Sequence, residues 1–140
     1  MKGKTITEIE VGDTAELTKT ITETDVVLFA GITGDFNPAH INQAWAENTH
    51  FHGRIAHGML LGGMISAVLG MYLPGPGTIY LSQELRFLAP VHMGDTITAR
   101  VEVEELIKEE NRVRLRTICQ NQKGIVVVDG TAIVLPLAMA

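Results

Sequence analysis

A single cysteine, Cys119, stands in a chain of 140 residues. No internal disulfide is therefore available, and the fold must be held by a core. Excess basic charge is also missing. A formal net charge of −5 argues against general nucleic-acid binding, which favours a basic surface, but does not exclude an anionic ligand held locally. There is no apolar run long enough for a bilayer. Met59 to Leu73, about 15 residues with internal glycines, falls short of the ~20 needed to span and is expected to be a core helix. No charged-then-apolar leader, linker, repeat or low-complexity stretch is evident, which leads to the expectation of one cytoplasmic domain over residues 1–140 without a membrane partner. A hydrophobic content of 46% is enough to build its core.

The local patterns give the element order. Met1 to Gly12 mixes charges with isolated Ile6, Ile9 and Val11 and reads as an edge strand or arm. Ala15 to Ile21 alternates well enough for a short strand. Thr22-x-x-Asp25 is a capping box opening a helix that carries Val26, Val27 and Phe29. Asn42 caps a short helix over Gln43 to Asn48, with Trp45 as its buried anchor. From Gly58 to Tyr72 the chain is apolar on nearly every helical face, so this helix must be surrounded, with Gly62 and Gly63 allowing close packing. Leu73-Pro74-Gly75-Pro76-Gly77 ends it.

Strands follow. Ile79, Leu81, Leu85 and Phe87 share one face, and Ile97, Ala99, Val101 and Val103 alternate in the next strand, as do Val113, Leu115 and Thr117. Ile125 to Val128 is an apolar run interrupted at Asp129-Gly130 before Ala132 to Leu135. Glu109-Glu110-Asn111 and Asn121 to Gly124 supply hairpin turns. One buried helix followed by a long antiparallel sheet gives an α+β domain, the sheet wrapped around the helix.

The chemistry is placed at Phe29 to His40. Gly31 and Gly34 let the arriving helix end and turn, and Asn37-Pro38 starts a new helical turn that carries His40. Asp35, an acceptor, and His40, able to gain or lose a proton near neutral pH, thus sit five residues apart on a stiffened backbone. The same Asp-x-Asn-Pro residues also serve ordinary turn chemistry. A metal reading joins His50 and His52 with Asp35, but the spacing is generic and no thiolate or Glu cluster reinforces it, so no metal is expected.

The run Gly34-Asp35-Phe36-Asn37-Pro38-Ala39-His40, with a small residue at Ala46 and a downstream His57-Gly58-Met59, resembles the signature of the MaoC-like, or (R)-specific, enoyl-CoA hydratases. Ala39 departs from the branched aliphatic residue usual there. The resemblance covers nearly the whole chain and implies a single hot-dog fold, with Thr22 to Ile55 as the overhanging segment. It also implies a homodimer with a thioester tunnel at the interface.

Hydration of a 2-enoyl thioester needs a proton taken from water, a proton given to the α-carbon, and stabilisation of charge on the thioester oxygen. By resemblance Asp35 and His40 hold the attacking water. Asp35 as base and His40 as donor is one assignment; the reverse and a shared-water scheme stay open. Gly58 begins the central helix, where free amides favour an anion, and the resemblance makes it the oxyanion donor. Asn37, Ser66 and Leu69 are expected to contact substrate, the last two at the acyl end of the pocket unless they serve helix packing alone. His57 is expected to brace the loop or helix start. Arg100, Arg112, Arg114 and Arg116 are expected on an exposed strand face with Glu102 and Glu104. The carrier is coenzyme A or an acyl carrier protein, and no other cofactor is implied. Two further functions share the fold: an acyl-CoA thioesterase and a noncatalytic acyl-CoA sensor.

Overall fold

In the computed structural model, which describes residues 2–138, the chain forms β1 (Thr14–Thr20), α1 (Glu23–Thr33), α2 (Pro38–Ile41), α3 (Gln43–Ala46), α4 (Gly58–Met71), β2 (Ile79–Phe87), β3 (Thr96–Ile107), β4 (Arg112–Gln120) and β5 (Val126–Leu135). The strands make one antiparallel sheet in the order β1-β3-β4-β5-β2. Alternation sets its inner face: Ile97, Ala99, Val101 and Val103 of β3 and Val113, Leu115, Thr117 and Cys119 of β4 are all buried. Against them α4 presses Leu61, Met64, Ile65, Val68 and Leu69. This is the α+β, hot-dog arrangement of a sheet curled on a central helix.

Charge covers the outer sheet face. Arg114 pairs with Glu104 and Glu105, Arg100 with Glu102, and Arg116 with Asp129. These arginines are therefore held in a mixed ladder of both signs, each exposed pair contributing at most about 1 kcal/mol.

Several expectations need correction. Of the edge strand and the arm read for the opening residues, the structure has the arm: a 3-10 turn at Ile6–Glu8, capped by Thr5, is tucked against the domain through buried Ile9. In β2 the predicted face breaks at a bulge, where the pairing passes from Tyr80 with Val134 to Ser82 with Ile133. Leu81 is the extra residue, so Ile79 lies on the opposite face from Leu85 and Phe87. The β5 strand does not stop at Asp129-Gly130 but runs through it. Gly130 is required there because a β-carbon would meet the main-chain oxygen of Glu84 at 1.8 Å. Trp45 is 48% exposed, and Ala46 instead is the buried residue of α3. Nor is α4 surrounded. Met59, Gly63, Ser66 and Met71 on it are exposed. Gly62 does pack closely, its missing β-carbon lying 3.1 Å from a Leu85 methyl, whereas Gly63 meets nothing within 4 Å.

Candidate active site

The overhanging segment is built from local signals. Thr22 and Asp25 close a reciprocal capping box at the start of α1, and Gly34 ends the helix in the left-handed region at φ 81°. Asp35 follows. Its Oδ1 accepts from the Asn37 amide at 3.2 Å, and Asn37 Oδ1 in turn accepts from the Ala39 amide at 3.0 Å, starting α2 with Pro38 in its first turn. Four residues of helix then aim His40 inward, where it is buried.

His40 Nδ1 lies 2.8 Å from the Ile55 carbonyl. A carbonyl only accepts, so Nδ1 carries a hydrogen and donates it. Nε2 is left for the cavity: a lone pair when the ring is neutral, a donor when it is charged. It stands 3.9 Å from Asp35 Oδ2, beyond a direct hydrogen bond but within reach of one water bridging both atoms. The Asp35 carboxylate is half exposed and His40 is not.

His57, the residue before α4, is 2% exposed. Its ring stacks on His40 with centroids 3.8 Å apart, and its Nε2 donates to the main-chain oxygen of Asp35 at 3.0 Å. It braces the loop, as its position led us to expect. Gly58 opens α4, and its amide makes no hydrogen bond among the described residues. Free amides at a helix start favour negative charge.

Asp35, His40, His57 and Gly58 all line one cavity of about 460 Å³, otherwise walled by apolar residues such as Phe29, Ile55, Phe87 and Val91. A second cavity, about 640 Å³, lies between α1, α4 and β2 and shares Phe29 and Met59 with the first. Ser66 lines it. Leu69 lines neither cavity; at 1% exposure it belongs to the core between α4 and the sheet. Asn37 is absent from both walls as well, its side chain being spent on capping α2.

The metal-ligating types that gather are Asp35, His40 and His57, with donor atoms within 4.8 Å of one another, not the set with His50 and His52. Each imidazole gives one nitrogen to a main-chain oxygen, and the remaining nitrogen of His57, Nδ1, is buried without a partner. Sequence reasoning missed the stacked pair because His40 and His57 meet only through packing of α2 against the start of α4.

A MaoC like domain model matches residues 6–124. An (R)-specific enoyl-CoA hydratase of Rhodospirillum rubrum is 53% identical, the match covering 91% of this chain and 88% of that protein. A 3-hydroxybutyryl-CoA dehydratase of Methylorubrum extorquens is 52% identical, over 91% of this chain and 80% of its own length. Among solved structures, the unliganded R-hydratase of Pseudomonas aeruginosa superposes with a TM-score of 0.94 at 48% identity, covering 98% of this chain and 88% of that one. Matches of this extent place the chain in the MaoC-like family.

Proposed function

We propose that the protein is an (R)-specific enoyl-CoA hydratase, a hydro-lyase that reversibly converts trans-2-enoyl thioesters to (R)-3-hydroxyacyl thioesters. The observation that carries this reading is the 3.9 Å separation of Asp35 Oδ2 and His40 Nε2 inside an apolar cavity that also contains the free Gly58 amide. Relatives bearing the hydratase and dehydratase names, at 53% and 52% identity, support it.

The step needs three things in one place. A water held by Asp35 and His40 attacks C3 of the enoyl group; Asp35 takes one of its protons while the new C–O bond forms. The electrons of the double bond move toward the thioester, whose oxygen gathers negative charge against the Gly58 amide. Charged His40, oriented by its Nδ1 bond to Ile55, then delivers a proton from Nε2 to C2. The reverse sequence is dehydration. The second cavity, reached past Phe29 and Met59, takes the acyl chain, with Ser66 on its wall. Coenzyme A or an acyl carrier protein supplies the thioester, and no further cofactor enters the scheme.

The protein is further inferred to act as a homodimer. β2 is an edge of the sheet, and Ile79, Tyr80 and Leu81 on it, with Met59 and Met71 on α4, are exposed apolar residues. An unpaired apolar edge invites a partner, and a second copy is the partner of matching register. A lone, buried cysteine fits a reducing compartment, and we place the enzyme in the cytoplasm.

The test is turnover of crotonyl-CoA with enoyl absorbance and thiol release followed together, then chiral analysis of the product. Loss of the enoyl signal without thiol release, giving the (R) alcohol, is expected. Thiol release would instead indicate a thioesterase, binding without turnover a sensor, and an (S) product a different subclass.

A further inference from the structure

We propose that His57 is a positioning residue for the reaction: one neutral imidazole that fixes Asp35, His40 and the Gly58 amide relative to each other. This rests on the hydratase reading above. Three contacts carry it. The ring stacks on His40 at a centroid distance of 3.8 Å and an interplanar angle of 27°. Its Nε2 donates at 3.0 Å to the carbonyl of Asp35. And it is the residue bonded directly to Gly58, at the N-cap of α4. Phe29 backs the ring from another side at 4.8 Å.

The hydrogen-bond pattern fixes its state. Donation to a carbonyl requires the hydrogen on Nε2, so in the neutral ring Nδ1 carries the lone pair. Nδ1 is buried and has no partner among the described side chains or main chain. A second proton there would have no acceptor, and a charged His57 would face His40 across the stack. The buried unpartnered nitrogen is the cost of a ring that must not become a second acid.

Two partial replacements separate the two contacts. His57→Gln keeps an amide donor that can reach the Asp35 carbonyl but loses the ring; His57→Phe keeps a ring to stack on His40 but loses the donor. Displacement of reacting groups by about 1 Å costs on the order of 10²-fold in rate. The expected result is a fall in kcat of that order for His57→Ala, with smaller falls for Gln and Phe. KM for crotonyl-CoA should stay within about twofold, because groups that act mainly in the transition state move kcat more than KM. In a His40→Ala background, His57→Gln, which removes the stack, should add little, since a ring acting through His40 has nothing left to position.

Parent turnover without any effect of the three His57 variants overturns the proposal and leaves the hydratase reading intact. So does the same fractional loss with and without His40, or a rise in KM alone. Loss of cooperative unfolding in all three variants would assign His57 to the core and overturns it too. An inactive parent overturns the underlying reading instead.

Discussion

The ring of Phe87 closes over Gly58: a β-carbon at position 58 would stand 2.7 Å from two of its ring carbons. Phe87 is a half-exposed side chain at the end of β2 and can swing aside. Gly58→Ala should therefore fold, helped by the better helix propensity of Ala, up to about 1 kcal/mol. Its methyl and the displaced ring would occupy the approach to the free amide, and loss of an oxyanion donor costs about 10²- to 10³-fold in kcat. Thermal unfolding beside crotonyl-CoA kinetics checks both halves. Parent-like turnover would move the oxyanion site elsewhere.

Asp35 and His40 are predicted to behave as one unit. Asp35→Asn and His40→Ala should each lower kcat by about 10²- to 10⁴-fold, the range of a general acid or base. The double variant should lose far less than the product of the two, because a single bridging water is lost in either case. Multiplicative losses would separate their roles.

The parts of this site written in neighbouring residues were legible in the sequence. Thr22 with Asp25, Gly34 as the left-handed stop and Pro38 in the first turn of α2 each act over a few bonds, and each is where the pattern put it. So were the strands around Val101 and Leu115, whose faces alternate over Thr96 to Val103 and over Arg112 to Gln120. What failed depended on distant partners. Nothing near Leu81 announces a bulge; it arises from pairing with β5. Trp45 was expected inside on hydrophobicity alone, yet a four-residue helix has too little periodicity to define a face. The stack of His40 on His57, seventeen positions along the chain, exists only once α2 has docked.

Ser66 and Leu69, adjacent in the helical reading, should separate by experiment. Leu69→Ala opens a hole in a core position and should cost about 2–5 kcal/mol in a urea titration, with little change in the ratio of short to medium enoyl substrates. Ser66→Phe fills part of the second cavity and should shift that ratio toward short chains while leaving stability near the parent. An unchanged ratio would remove Ser66 from the acyl pocket.

Asp25 gives the stability a dependence on acid. Burial raises its pKa, but hydrogen bonds from Lys19 and Thr22 outweigh that and hold the carboxyl below its ordinary value of 3.8. A folded-state pKa below the unfolded one stabilises above the unfolded pKa, and this contribution is lost as pH falls through the folded value. The gap in urea stability between the parent and Asp25→Asn should be constant near neutrality and shrink below about pH 4. A gap that widens toward acid would contradict the assignment. Thr22→Ala, which removes the other half of the box, should cost about 1 kcal/mol near neutrality.

The free edge of β2 is where the proposed dimer is tested. Leu81 is extruded by the bulge, exposed, and sits on a strand whose outer edge has no partner among the described residues, with apolar Ile79 and Tyr80 beside it. Charge on such an edge is what keeps strands from pairing. Leu81→Lys should accordingly turn a species of twice the chain mass into a monomer in sedimentation, leaving the β3-β4-β5 core untouched because no core residue changes. Activity should fall with the dimer, since the second cavity lies along β2 and the outward side of α4, the surfaces a partner would close. If the parent sediments as a folded, active monomer, the exposed apolar edge serves something other than self-association. If Leu81→Lys stays dimeric, the contact lies on α4 or α1 rather than on the strand edge.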